Sequence, residues 1–280
     1  MKLLKCLLLI VLIVIFTACT PLTEVQRFGS ESSKVISDTE LAKLFKSSYS
    51  RSKYAFEPGS TADLSAKSND ADRKKVFDDY IANQQAMASY FQVLAKLAGD
   101  EEYDFKENID GLAKSIKDIP ESKLDKIHVD AYAKLVEKTT EWITYAARQK
   151  NVRKMIQESN EPLQILLDGQ MILIDVYKGT LNQELAMIDD MYDQEFTLID
   201  TSKNKLLLHL ARKEREEYRL FYKAKLKKTK ETKKALLKIK QGHKSLLENV
   251  NTLKTDKFKT VFKKFNDDIR SAKKTLESIK

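Results

Sequence analysis

The chain has 280 residues, a formal net charge of +9, two cysteines, seven glycines and four prolines. So few turn formers, in a composition rich in Lys, Glu, Leu, Ala and Asp, argue for a few long helices and against a disulfide framework or a turn-rich all-β fold. The charge is unevenly placed: residues 19–202 carry 23 Lys/Arg against 32 Asp/Glu, a net −9, and residues 203–280 carry 25 against 9, a net +16, a split that points to internal pairing or an anionic partner.

Lys2 and Lys5 open the chain, and Cys6 to Phe16 is an unbroken apolar run. That run falls short of the ~20 residues that span a bilayer and reads as the core of an export signal. Thr17 and Ala18 are small and directly precede Cys19. At Phe16-Thr17-Ala18-Cys19 the chain resembles bacterial lipoproteins, with Phe16 where that family places an aliphatic residue. The resemblance covers the N-terminus alone. It implies removal of residues 1–18, acylation of Cys19 and, because Thr20 rather than Asp follows, the periplasmic face of the outer membrane. Cys19 is then the one cysteine of the mature chain, which can form no intrachain disulfide.

Residues 19–37 hold Pro21, Gly29, Ser30, Ser32 and Ser33 without a sustained period, the composition of a flexible tether. Ser37-Asp38-Thr39-Glu40 has capping-box spacing and opens a short helix to about Tyr49, which Glu57-Pro58-Gly59-Ser60 breaks. Residues 38–280 are expected to form one helical domain, acidic over 38–202 and basic over 203–280. Val76, Tyr80, Asn83, Met87, Tyr90, Leu94 and Leu97 alternate spacings of four and three, one stripe of a helix that Gly99-Asp100 closes. A short helix is expected around Ile109 to Ile116. Pro120 then resets the chain before a helix containing Leu124, Ala131, Leu135 and Trp142. Asn160-Glu161-Pro162 marks another restart, from which the period runs to Asp200-Thr201-Ser202. A basic helix ends before Gly242, and a last one carries Phe258, Phe262, Phe265, Ile269, Ala272, Leu276 and Ile279. The whole reads as an all-α, elongated antiparallel bundle with coiled-coil-like seams.

Catalytic chemistry finds little here. The chain holds no Gly-rich phosphate loop, nucleophile elbow or Cys-His pair. His128, His209 and His243 are expected in three separate helices. Asp125 and His128 share a face, yet the Glu-x-x-His pairs of di-iron bundles are missing. Asp189, Asp190, Asp193 and Glu195 form an acidic knot, but a straight helix does not wrap ligands round a Ca²⁺ ion. No metal or cofactor is therefore assigned, and the chain is read as non-enzymatic.

Two surfaces are candidates for contact. Lys223, Lys225, Lys227, Lys228, Lys230, Lys233, Lys234, Lys238 and Lys240 form a cationic face for anionic lipid or lipopolysaccharide, which with a lipid on Cys19 would make a two-signal anchor. The stripe of Phe258, Phe262, Phe265, Ile269, Leu276 and Ile279 suits either bundle core or pairing of two copies. Export argues against nucleic acid. The expected role is a membrane-anchored lipoprotein that binds or spaces another envelope component, such as an envelope protein. The alternative is a protective lipoprotein whose acids sequester a protein toxin or phage component, and a cell-wall-modifying enzyme is a third class.

Overall fold

The computed structural model describes residues 22–99, 125–146, 151–200 and 203–279. Regular structure among them is helical throughout: α1 (Thr23–Ile36), α2 (Glu40–Lys46), α3 (Ser48–Ser52), a 3-10 turn (Lys53–Ala55), α4 (Thr61–Ala98), α5 (Lys126–Ala146), α6 (Val152–Leu198), α7 (Lys205–Glu248) and α8 (Asp256–Ser278). The expected bundle of long helices is what forms. With 47 residues, α6 extends about 70 Å at 1.5 Å per residue. No described helix is long and apolar enough to cross a membrane. The signal segment, Cys19, the helix expected at 109–116 and the break at Pro120 lie outside the described residues.

Local chemistry sets the helix starts. Gly59 has φ +79, a backbone conformation that favours glycine. The next residue, Ser60, caps α4 by accepting from the Asp63 N–H. Asn151 and Thr255 cap α6 and α8 in the same way. The capping box does not form as expected. Asp38 Oδ1 accepts the Glu40 N–H at 2.9 Å, and the Glu40 side chain turns to lysines of α7.

Three further expectations change. Residues 19–37 do not form a tether throughout, because Thr23–Ile36 is a core helix with Val25 and Phe28 fully buried. Its small residues serve close packing: a Cβ on Gly29 would lie 2.6 Å from the Phe91 carbonyl oxygen of α4. Pro162 lies inside α6 rather than starting a helix. An interior proline costs ~3 kcal/mol, which is offset where Ser159, Pro162 and Leu163 are buried and α6 is gripped by α5 and α7. Gly242 likewise sits inside α7, where a Cβ would meet Phe28 Cε2 at 2.5 Å. It is a notch for that ring, not a terminator. Consequently His209 and His243, expected in separate helices, share α7.

The core centres on Phe28, whose ring meets Phe91 at 5.7 Å and Phe262 at 5.2 Å edge-on. This joins α1, α4 and α8. Beside it His243 is fully buried, its Nε2 2.6 Å from the Tyr90 hydroxyl and its Nδ1 3.1 Å from Asn160 Oδ1. That pattern assigns the neutral ring, with Nδ1–H donating to Asn160 and the tyrosine donating to Nε2. Helices α4, α6 and α7 are thereby tied through one buried polar node.

The helix directions follow from paired contacts. Leu22 N–H donates to the Ala98 carbonyl, and Gln84 reaches the Ile36 carbonyl, so α1 runs antiparallel to α4. The α6–α7 hairpin continues past that body. From His243, near the Phe28 level, α7 reaches back to Lys205, about 57 Å at 1.5 Å per residue. A second small core of Leu181, Ile188, Tyr192 and Tyr222 holds this distal part of the hairpin together. At its tip Leu198, Leu206, Leu207 and Leu210 are exposed.

Candidate functional site

The cationic face of α7 is assembled from its own periodicity. Tyr222, Thr229, Leu236, Ile239, His243 and Leu246 point into the bundle, and the lysines between them fan outwards at different angles. The angle decides which of the nine meet an acid.

Those on the flanks are taken by the acidic helices. Lys225 reaches Glu40 Oε1 at 2.8 Å. Lys228, itself buried, reaches Asp38 Oδ2 at 2.8 Å and also binds Glu40. Partial burial pushes the Glu40 carboxyl up, but the hydrogen bonds and charges of the two lysines outweigh it and hold the group below the usual carboxylate range. Burial likewise depresses Lys228, and Asp38 and Glu40 more than reverse it. Lys233 pairs with Asp175 and Lys240 with Asp168 across the hairpin, while Lys238 meets Asp268 of α8 at 3.1 Å.

The outermost line is different. Lys223, Lys227 and Lys230 are exposed, and no acidic partner contacts them among the described residues. Lys234 reaches only as far as Glu231 on its own helix, 2.8 Å away. Spacings of four, three and four put these lysines on one stripe about 17 Å long at 1.5 Å per residue. Exposed Leu220 and Leu237 flank it. Such a line of compact cations suits loose contact with several phosphates.

The acidic knot is spent on the same hairpin. Arg215 bonds Asp189 Oδ1 at 2.8 Å and Asp193 Oδ1 at 2.6 Å, and Arg219 adds a second bond to Asp189 at 2.8 Å. Burial raises the Asp189 carboxyl, but the two arginines more than offset it and hold the group below its ordinary value. The Arg215 hydrogen bond likewise lowers Asp193. Asp190 and Glu195 remain exposed.

His128 and Asp125 do meet, Nδ1 to Oδ1 at 2.5 Å, but the His128 ring packs against Gly169 of α6. Among the described residues no group of three or more His, Cys, Asp or Glu side chains is placed to hold a metal ion. The C-terminal stripe is core: Phe258, Phe262, Ile269, Leu276 and Ile279 are buried and Phe265 half-buried, with Phe258 and Phe262 stacked at 4.8 Å. This leaves little of the stripe for pairing copies.

Two features escape a reading of the sequence. Glu184, 1% exposed at its side chain, takes a two-pronged bond from Arg51 at 3.0 and 2.8 Å and a third from the Tyr222 hydroxyl at 2.8 Å. The three residues are far apart in sequence, and only the fold brings them together. The hairpin register, by contrast, had a signal: Asp168, Asp175, Asp189 and Asp193 advance along α6 by the same intervals as Lys240, Lys233, Arg219 and Arg215 retreat along α7. Comparison with known proteins adds nothing to this geometry: no family model matches the chain, and no curated protein or solved structure matches it either.

Proposed function

We propose that the chain is a non-enzymatic lipoprotein of the cell envelope, held by a lipid on Cys19, whose α7 stripe of Lys223, Lys227, Lys230 and Lys234 rests on an anionic lipid or lipopolysaccharide surface while the bundle spaces or binds another envelope component. The observation that supports it is the division of labour among the lysines. Where Lys225, Lys228, Lys233 and Lys240 neutralise acids on other helices, Lys223, Lys227 and Lys230 have no such duty and Lys234 meets only Glu231 of its own helix. Near an anionic membrane each lysine contributes ~1 kcal/mol, so four acting together shift partitioning by about a thousandfold.

Geometry also favours reach. The chain enters the bundle at Leu22, beside Ala98, and the leucine-bearing tip of the hairpin lies at the other end. A tether on Cys19 would hold one end and leave the tip free to meet a second envelope component on the periplasmic face of the outer membrane. The protective reading, in which acids bait a basic toxin or phage protein, has less to work with, since Arg215 and Arg219 already occupy Asp189 and Asp193.

The anchor is tested by labelled palmitate. Incorporation that disappears in Cys19→Ala supports it, and label that persists in that variant contradicts it. The surface contact is tested on vesicles, with neutralised stripe lysines compared against neutralised paired lysines.

A further inference from the structure

On the hairpin's distal part, between the 3-10 turn and α7, lies a cleft of about 420 Å³, within the size range of small-molecule sites. Tyr54, Tyr218, Phe221 and Tyr222 line it together with Glu214 and Glu217. Arg51 also borders it, but its guanidinium is held in both prongs by buried Glu184, so its charge is balanced from within the wall. Tyr222 is locked by its bond to the same carboxylate.

What remains facing the cleft is aromatic and negative. Glu214 and Glu217 are exposed; Glu214 accepts a hydrogen bond from the Tyr192 hydroxyl, and Glu217 has only a loose contact with Lys213 at 3.6 Å. Tyr54 is 72% exposed, so its ring is open to solvent. Aromatic faces carry negative quadrupole potential and attract ammonium groups. One of the chain's own ammoniums reports that attraction: Lys53 Nζ sits 4.8 Å from the Tyr54 centroid. A bare metal ion is poorly served, because two carboxylates one turn apart on a straight helix cannot wrap it. An anion would face two carboxylates.

We infer that this cleft binds a small organic cation of the ammonium class, seated against Tyr54, Tyr218 and Phe221 with Glu214 and Glu217 as counter-charges. The site is independent of the lysine stripe and of the lipid anchor. Lys53 Nζ sits over the Tyr54 ring, so a ligand that takes that face displaces it.

The test is calorimetric titration of the full chain, in a non-ionic detergent, with choline, with cadaverine and with 3,3-dimethylbutanol, which keeps the shape of choline but lacks its charge. Choline or cadaverine should bind saturably, about tenfold more tightly than the neutral alcohol. The tighter of the two distinguishes a quaternary headgroup from a polyamine. Tyr54→Ala should weaken the cation about two- to fivefold, and its exposed position leaves the fold intact, as an unchanged melting temperature will confirm. Glu214→Gln with Glu217→Gln should erase the preference over the alcohol. Lys53→Met should tighten the cation about twofold by removing a competing ammonium and leave the alcohol unchanged. Equal binding of choline, cadaverine and dimethylbutanol, an absence of saturable cation binding, or cation affinity indifferent to all three changes would overturn the inference.

Discussion

Phe28 and His243 show how single positions carry the bundle. Phe28 touches rings on two other helices and fills the notch at Gly242. Truncating it to Ala should cost about 3 to 5 kcal/mol, as for other buried aromatics, read as a fall in denaturation midpoint. Glycines separate into two kinds. Gly179 lies mid-helix with nothing within 4 Å of a built Cβ, so Gly179→Ala should stabilise by about 0.5 to 1 kcal/mol. At Gly242 the same change drives a methyl into Phe28 and should destabilise by about 1 to 2 kcal/mol. Equal effects at the two positions would refute the notch. Burial holds His243 neutral and pushes its pKa down to about 3. The unfolded chain therefore takes up the proton first as pH falls. Stability contributed by neutral His243 is fully present above pH 6.5 and is lost progressively from 6.5 towards 3. Denaturant unfolding at stepped pH should show this slope, and His243→Gln should flatten it while lowering stability overall.

Among the elements, α6 and α7 depend on matched charges for their alignment. Each exposed pair contributes little, typically below 1 kcal/mol, but four pairs in one register disfavour a slipped hairpin. Asp175→Lys sets like charges against each other at Lys233 and should cost about 0.5 to 1 kcal/mol. Adding Lys233→Asp should recover most of that loss, and a failure to recover would mean that the register is held elsewhere. The elements differed in how openly the sequence displayed them. The stripes from Val76 to Leu97 and from Phe258 to Ile279 follow the helical period and are buried much as that period implies. Residues 23–36 were obscured because Gly29, Ser32 and Ser33 resemble a tether, although the same small side chains let α1 approach α4 closely. Pro162 and Gly242 misled for a related reason. Local propensity marks breaks there, and packing against α5, α7 and Phe28 overrides it. The nine lysines were visible as a group. Their division into those that pair with other helices and those that do not was not visible, since it depends on acids placed by the α1–α2 turn, α2, α6 and α8.

For the whole molecule, that division reconciles the two halves of the charge distribution. The acidic segment neutralises much of the basic one, so the +16 of residues 203–280 overstates the cationic surface offered to a partner. What is left outward of the nine lysines is a line along one edge of the hairpin, and α7 also exposes Lys205, Arg212 and Lys244. That line carries the proposed surface contact, and the most direct measurement is co-sedimentation of the chain, beginning at Thr20, with anionic vesicles and lipopolysaccharide over a salt series. Replacing Lys223, Lys227, Lys230 and Lys234 with Gln should abolish binding and its steep loss with salt while leaving the melting temperature nearly unchanged. Replacing Lys225, Lys233 and Lys240 instead should lower the melting temperature and retain most of the binding. Equal retention of binding by both variants, or binding indifferent to salt, would contradict the account.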